Sequence, residues 1–145
     1  MDEDVSSERA GSAGGRDGAR GAADGVILLA HGSKSESWKE PFEKLLIRLR
    51  AKGAHPHLRL AYMEFAGPSL EACLDELRGD DCKHIEVLPL FIAAGKHLSR
   101  DIPERIERYR SRRPGMHIEL HPPLGESEAF IDLLGDYLSE RIGHR

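Results

Sequence analysis

The sequence predicts an α/β domain: a four-stranded parallel sheet, order 2-1-3-4, in a three-layer α/β/α arrangement. Three observations predict it. Strand-like and helix-like segments alternate strictly from residue 25 onward, the pattern that βαβ units leave in a chain. The first apolar run, GVILLA at 25–30, has no charged position, as expected of a strand buried on both faces. Right-handed crossovers then restrict the strand order, and for four strands 2-1-3-4 is the flavodoxin-like start.

The elements follow in order. After GVILLA, the segment SWKEPFEKLLIRLRAKG places Phe42, Leu45, Leu46 and Leu49 at helical spacing and closes on Gly53, a residue suited to the left-handed C-terminal position. HLRLAYMEF alternates apolar and polar positions and reads as the second strand. GPSLEACLDELRG is a helix with Pro68 near its start and Gly79 past its end. KHIEVLPLFI is a third strand that turns apolar toward its end. LSRDIPERIERYRSRRPG is a helix in which Pro103 is tolerated if it lies in the first turn, so Ser99 or Asp101 is the expected N-cap. MHIELH is the fourth strand, and GESEAFIDLLGDYLSERIG the last helix.

Composition bounds the class. The chain has 145 residues, 39% hydrophobic and 32% charged, which fits one globular domain over residues 25–145. Residues 1–24 carry six acids against three bases among Gly, Ala and Ser, too little apolar surface to offset ordering, so a disordered leader is expected. The rest is nearly neutral, which gives no basic face for nucleic acid. No apolar run approaches the ~18 residues of a membrane span, and no secretion signal is apparent. Cys73 and Cys82 lack CxxC spacing, so neither a disulfide framework nor a zinc site is expected, and a cytoplasmic location is the simplest reading.

In such a sheet ligands bind beyond the carboxyl ends of the strands, where the strand order reverses. That point lies between strands 1 and 3. His31 is the first polar residue after strand 1, in LLAHGSKSES, and His97 follows strand 3, in PLFIAAGKHLSRDIP. Neighbouring strands are ~4.8 Å apart, so two imidazoles at their ends are placed to share a metal ion or a reacting atom. Glu64 ends strand 2, on the other flank of strand 1. Gly32 and Gly95 beside the histidines allow close approach of a ligand to the backbone. The blander reading is a capping or surface role for each histidine alone, and helix capping for Glu64. His55 and His57, and likewise His84 and His117, fall at the opposite end of the sheet. His121 is at the carboxyl end of an edge strand, and His144 is terminal. RYRSRRPG reads as a solvated helix end. Trp38 and Phe42 are helix core or a pocket wall.

LLAHGS, YMEFAGPSL and LPLFIAAGKHLSRDIP together resemble the short, single-domain form of the class II chelatases, the CbiX-type sirohydrochlorin chelatases, from about Val26 to Tyr137. The resemblance implies insertion of Co²⁺ or Fe²⁺, with Ni²⁺ in some relatives, into a tetrapyrrole. It implies that His31 and His97 bind the metal, that Glu64 assists as an acidic site residue, and that such chains pair as homodimers. No cofactor is implied beyond the metal substrate. Imidazole suits these borderline metals better than Mg²⁺ or Ca²⁺. The macrocycle's carboxylates would be anchored by backbone N–H groups around Gly32–Ser33 and Ala94–Gly95, with Lys34, Lys96 and Arg100. The acidic, Gly-rich leader departs from the family pattern. The absence of a His-rich tail or cysteine cluster gives no support for accessory metal or iron–sulfur sites.

Three rivals come from other classes. A histidine phosphatase needs arginine immediately before the histidine, where Ala30 stands. A flavodoxin-like small-ligand domain wants a phosphate loop, and no GxGxxG or Walker pattern appears. A Co²⁺ or Ni²⁺ carrier would use the same two histidines without turnover.

Overall fold

In the computed structural model, described over residues 22–143, the apolar run Gly25–Ala30 forms β1, paired in parallel on both sides. A single turn of 3-10 helix at Glu36–Lys39 leads into α1, Glu40–Ala51. β2 (Leu58–Tyr62), α2 (Leu70–Gly79), β3 (His84–Pro89), α3 (Lys96–Arg112), β4 (His117–Leu120) and α4 (Glu128–Gly143) follow. The sheet order is β2-β1-β3-β4, all parallel, as the alternation predicts.

The period-2 geometry of β1 sorts its side chains to two cores. Ile27 and Leu29 face one layer, with Ile85, Val87 and Ile118 beneath α2 and α3. Leu28 and Ala30 face the other, with Leu58, Leu60 and Tyr62, covered by Phe42, Leu46 and Leu49 of α1. Leu70, Leu74 and Leu77 of α2 are fully buried, each worth roughly 1.5–3 kcal/mol in transfer terms. Trp38 stacks on Phe42 with ring centroids 4.6 Å apart and packs against the second core, so it belongs to the helix core.

The start of α3 differs from the sequence reading. α3 begins at Lys96 with Gly95 as N-cap, not at Ser99 or Asp101. Pro103 therefore sits inside the helix, and His97 is its second residue rather than part of a loop. At the chain start, the expected leader lies outside the described residues up to residue 21, but Asp24 is anchored. Its carboxylate Oδ2 accepts the backbone N–H groups of Lys83 and His84, both at 3.0 Å, and its own N–H donates to the His84 carbonyl at 2.8 Å. His144 also lies outside the described residues. α4 carries no buried residue, and Leu133 and Ile142 are 68% and 74% exposed. Among the described residues no helix is long and apolar enough to cross a membrane.

Candidate functional site at the carboxyl rim of the sheet

β1 ends in the buried Ala30, and His31 emerges exposed at the rim. Its ring lies 4.2 Å from that of Phe91, tilted by 41°. Phe91 is buried just past the end of β3, so the imidazole leans toward the β3 side, across the switch point. On the β2 side the backbone carries the pairing onward. Met63 N–H donates to the Ala30 carbonyl at 2.9 Å and Glu64 N–H to the His31 carbonyl at 3.1 Å.

Gly32 locks these two strand ends together. Its φ is +96°, a region other residues rarely occupy. A Cβ there would stand 1.8 Å from the Glu64 carbonyl oxygen, so the close approach admits no side chain. The glycine thus fixes His31 and Glu64 on adjacent, touching backbones. Glu64 is exposed. Beyond it Phe65 adopts φ +61° and is 60% exposed, with Lys34 Nζ 5.2 Å from its ring centroid. Ser33 Oγ accepts the Ser35 N–H at 3.1 Å and turns the loop.

Across the switch point, Ala94 packs against the core and Gly95 opens α3. Lys96 and Arg100 are exposed on its first turns. The first N–H groups of a helix have no intrahelical partner, and Gly95 offers no side-chain cap, so this end presents donors and partial positive charge to an anion. The rim thus holds His31, Glu64 and Lys34 on one flank. The segment from Ala94 through Lys96 and His97 to Arg100, which follows β3 and opens α3, forms the other.

Four supporting features were not foreseen. Phe91 sets the tilt of His31, yet in sequence it looks like one more strand hydrophobe. Arg105 of α3 makes a bidentate contact to Glu71, at 2.7 and 2.6 Å, and donates to the Met63 carbonyl at 3.1 Å. It therefore braces the residue next to Glu64. A hydrogen bond from Arg105 holds the Glu71 carboxyl below its ordinary range against the opposing effect of burial. Gly125 repeats the device of Gly32, since a Cβ there would meet the Ile92 carbonyl at 1.5 Å. Finally, a hollow of about 260 Å³ lies at the ends of β3 and β4, walled by Phe91, Leu98, Ile102 and His121. It is small beside the ~300–1,000 Å³ of ordinary ligand pockets, and Phe65 and Ile92 are exposed apolar side chains outside it.

A histidine and a carboxylate thus stand together at the switch point of a 2-1-3-4 parallel sheet, the arrangement that the resemblance to the chelatases implies. A family model described as CbiX matches residues 25–141, and the chain belongs to the CbiX family. A CbiX protein from Marinobacter aquaeolei VT8, known from a crystal structure, is similar at 36% identity and a TM-score of 0.73, over 83% of this chain and 98% of that one. A sirohydrochlorin cobaltochelatase of Saccharolobus solfataricus is 32% identical over 126 residues, 81% of this chain and 92% of its own. A chloroplastic sirohydrochlorin ferrochelatase of Arabidopsis thaliana is 27% identical over 124 residues. The chain spans 55% of that longer relative.

Proposed function

We propose that this protein inserts a divalent metal, Co²⁺ or Fe²⁺, into sirohydrochlorin, on the way to cobalamin or siroheme. The observation that carries the reading is the Gly32 contact, which holds His31 and Glu64 together beside the strand that leads to His97. Family membership and relatives of that activity support it.

His31 and His97 bind the incoming metal as neutral imidazoles, a donor type suited to Co²⁺, Fe²⁺ and Ni²⁺. Few protein ligands leave coordination positions open for the pyrrole nitrogens. Each insertion releases two pyrrole protons, which Glu64, or a histidine once it has given up the metal, accepts. The macrocycle's carboxylates pair with Lys34, Lys96 and Arg100 and with backbone N–H groups around Gly32–Ser33 and Ala94–Gly95. The metal is a substrate, so its site must also let it go, and no further cofactor enters the scheme. The exposed apolar side chains of α4 support a homodimer, and two buried, unpaired cysteines suit a cytoplasmic location.

A metal carrier would use the same histidines, and turnover separates the two. Under anaerobic conditions with sirohydrochlorin and Co²⁺, the protein accelerates the absorbance change of insertion over a protein-free control. Tight Co²⁺ binding without acceleration would establish the carrier instead.

A further inference from the structure

We infer a second transition-metal site, formed by His84, His117 and Glu119 at the end of the sheet opposite His31. His84 opens β3 and His117 opens β4, and the two are paired in register. Their ring centroids are 4.9 Å apart. Glu119 lies two residues along β4, so it returns to the same face. One ligand atom from each of the three residues can be chosen so that all lie within 4.8 Å of one another.

The detail that points to a ligand is His84 Nε2. It is buried and has no hydrogen-bond partner, an unusual state for a buried polar atom. It faces Glu119 Oε2 at 3.7 Å, too far for a hydrogen bond. Two donors bound at ~2.1 Å to a tetrahedral ion stand about 3.4 Å apart, so a small inward movement places both on one metal. Glu86 pairs in register with Glu119 on the same face. Opposed carboxylates destabilise a sheet, and a dication between the strands relieves that repulsion. The second row repeats the motif, with His121 Nε2 also buried, unpartnered and 3.7 Å from Glu86 Oε1.

The frame is rigid. Asp24 pins the start of β3 through its two N–H acceptances, and His117 N–H donates to the Lys83 carbonyl at 2.7 Å. Two imidazoles and a carboxylate select Zn²⁺, Co²⁺ or Ni²⁺ over Mg²⁺ or Ca²⁺, and leave a coordination position for water. The neighbouring His55–His57 pair is no rival. His55 Nε2 meets the Ala23 carbonyl at 2.8 Å and its Nδ1 accepts the His57 N–H at 3.0 Å, so both ring nitrogens are engaged. The site lies a strand's length, roughly 17 Å, from the rim, and stands whether or not the rim inserts metal. Occupied, it ties the edge strand β4 to β3.

The test is calorimetric titration of the full-length chain with Zn²⁺ in a His31→Ala, His97→Ala background, which removes the rim histidines. One Zn²⁺ per chain is expected to bind. Adding His84→Gln and His117→Gln should weaken that binding at least 100-fold. The single change His117→Gln, at an exposed position, keeps the fold and should still weaken it at least tenfold. The imidazole NMR resonances of His84 and His117 should shift on Zn²⁺ addition before those of the other histidines. No Zn²⁺ bound in the rim-histidine background, or an affinity unchanged by His117→Gln, overturns the site.

Discussion

At the scale of single residues, Gly32 is the position on which the rim depends. A side chain there must both adopt φ +96° and displace the Glu64 carbonyl. Gly32→Ala is therefore expected to cost at least about 3 kcal/mol of stability and to reduce insertion even under conditions where the protein stays folded. Denaturant unfolding and the insertion assay check this, and wild-type values in both would remove the glycine from the account. The residues of this flank were legible in the sequence. An apolar run broken by His-Gly at a strand's carboxyl end is a visible signal, and the strand order follows from alternation. What composition and spacing do not reveal is which backbone a glycine touches. Phe91 is similarly opaque, since its contact with His31 depends on the tilt of one ring across two strands.

At the scale of elements, α3 carries the lesson about boundaries. Pro103 suggests a helix start near Ser99, because proline removes an N–H and is easiest to place in the first turn. The helix instead starts at Lys96 and accommodates Pro103 in its interior. This moves His97 from a loop onto a helix. α3 also joins two other elements through Arg105, which links Glu71 of α2 to the chain after β2. In sequence this arginine is one charge among many on a basic, acidic-studded helix, so its long-range partners could not be read. Arg105→Leu should cost about 2 kcal/mol, the scale of lost charge-assisted hydrogen bonds. It should also lower the insertion rate with little change in Co²⁺ affinity, because it loosens Glu64 and leaves the histidines in place. Thermal melts and parallel metal titration report the two effects separately. A uniform loss of metal binding would count against this brace.

At the scale of the whole molecule, two properties follow from surfaces and charge. The exposed Leu138 and Ile142 of α4 share one face of a helix with no buried residue, being four residues apart, which motivates the proposed homodimer. Leu138→Glu with Ile142→Glu is expected to convert a dimer to a monomer in sedimentation at micromolar concentration, and a monomeric wild-type chain would refute the pairing. Acid stability is set in part by two carboxylates. Backbone N–H groups of Lys83 and His84 hold Asp24 below its ordinary range, and the Arg105 hydrogen bond does the same for Glu71. A folded pKa below the unfolded one gives stability that is present above the unfolded value and lost as pH falls through the folded value. Melting temperature should therefore drop as pH falls below about 4, and less steeply in Glu71→Gln, which lacks that proton linkage. An identical acid limb in the variant would exclude Glu71 as a contributor.

Both flanks of the rim are proposed to act as one site for metal insertion. The most direct measurement is anaerobic conversion of sirohydrochlorin with Co²⁺, followed by absorbance, in the wild type, His31→Ala and His97→Ala. The account predicts acceleration by the wild type and a loss of at least 100-fold in each variant, with the fold retained by circular dichroism. Full activity in both variants would contradict it.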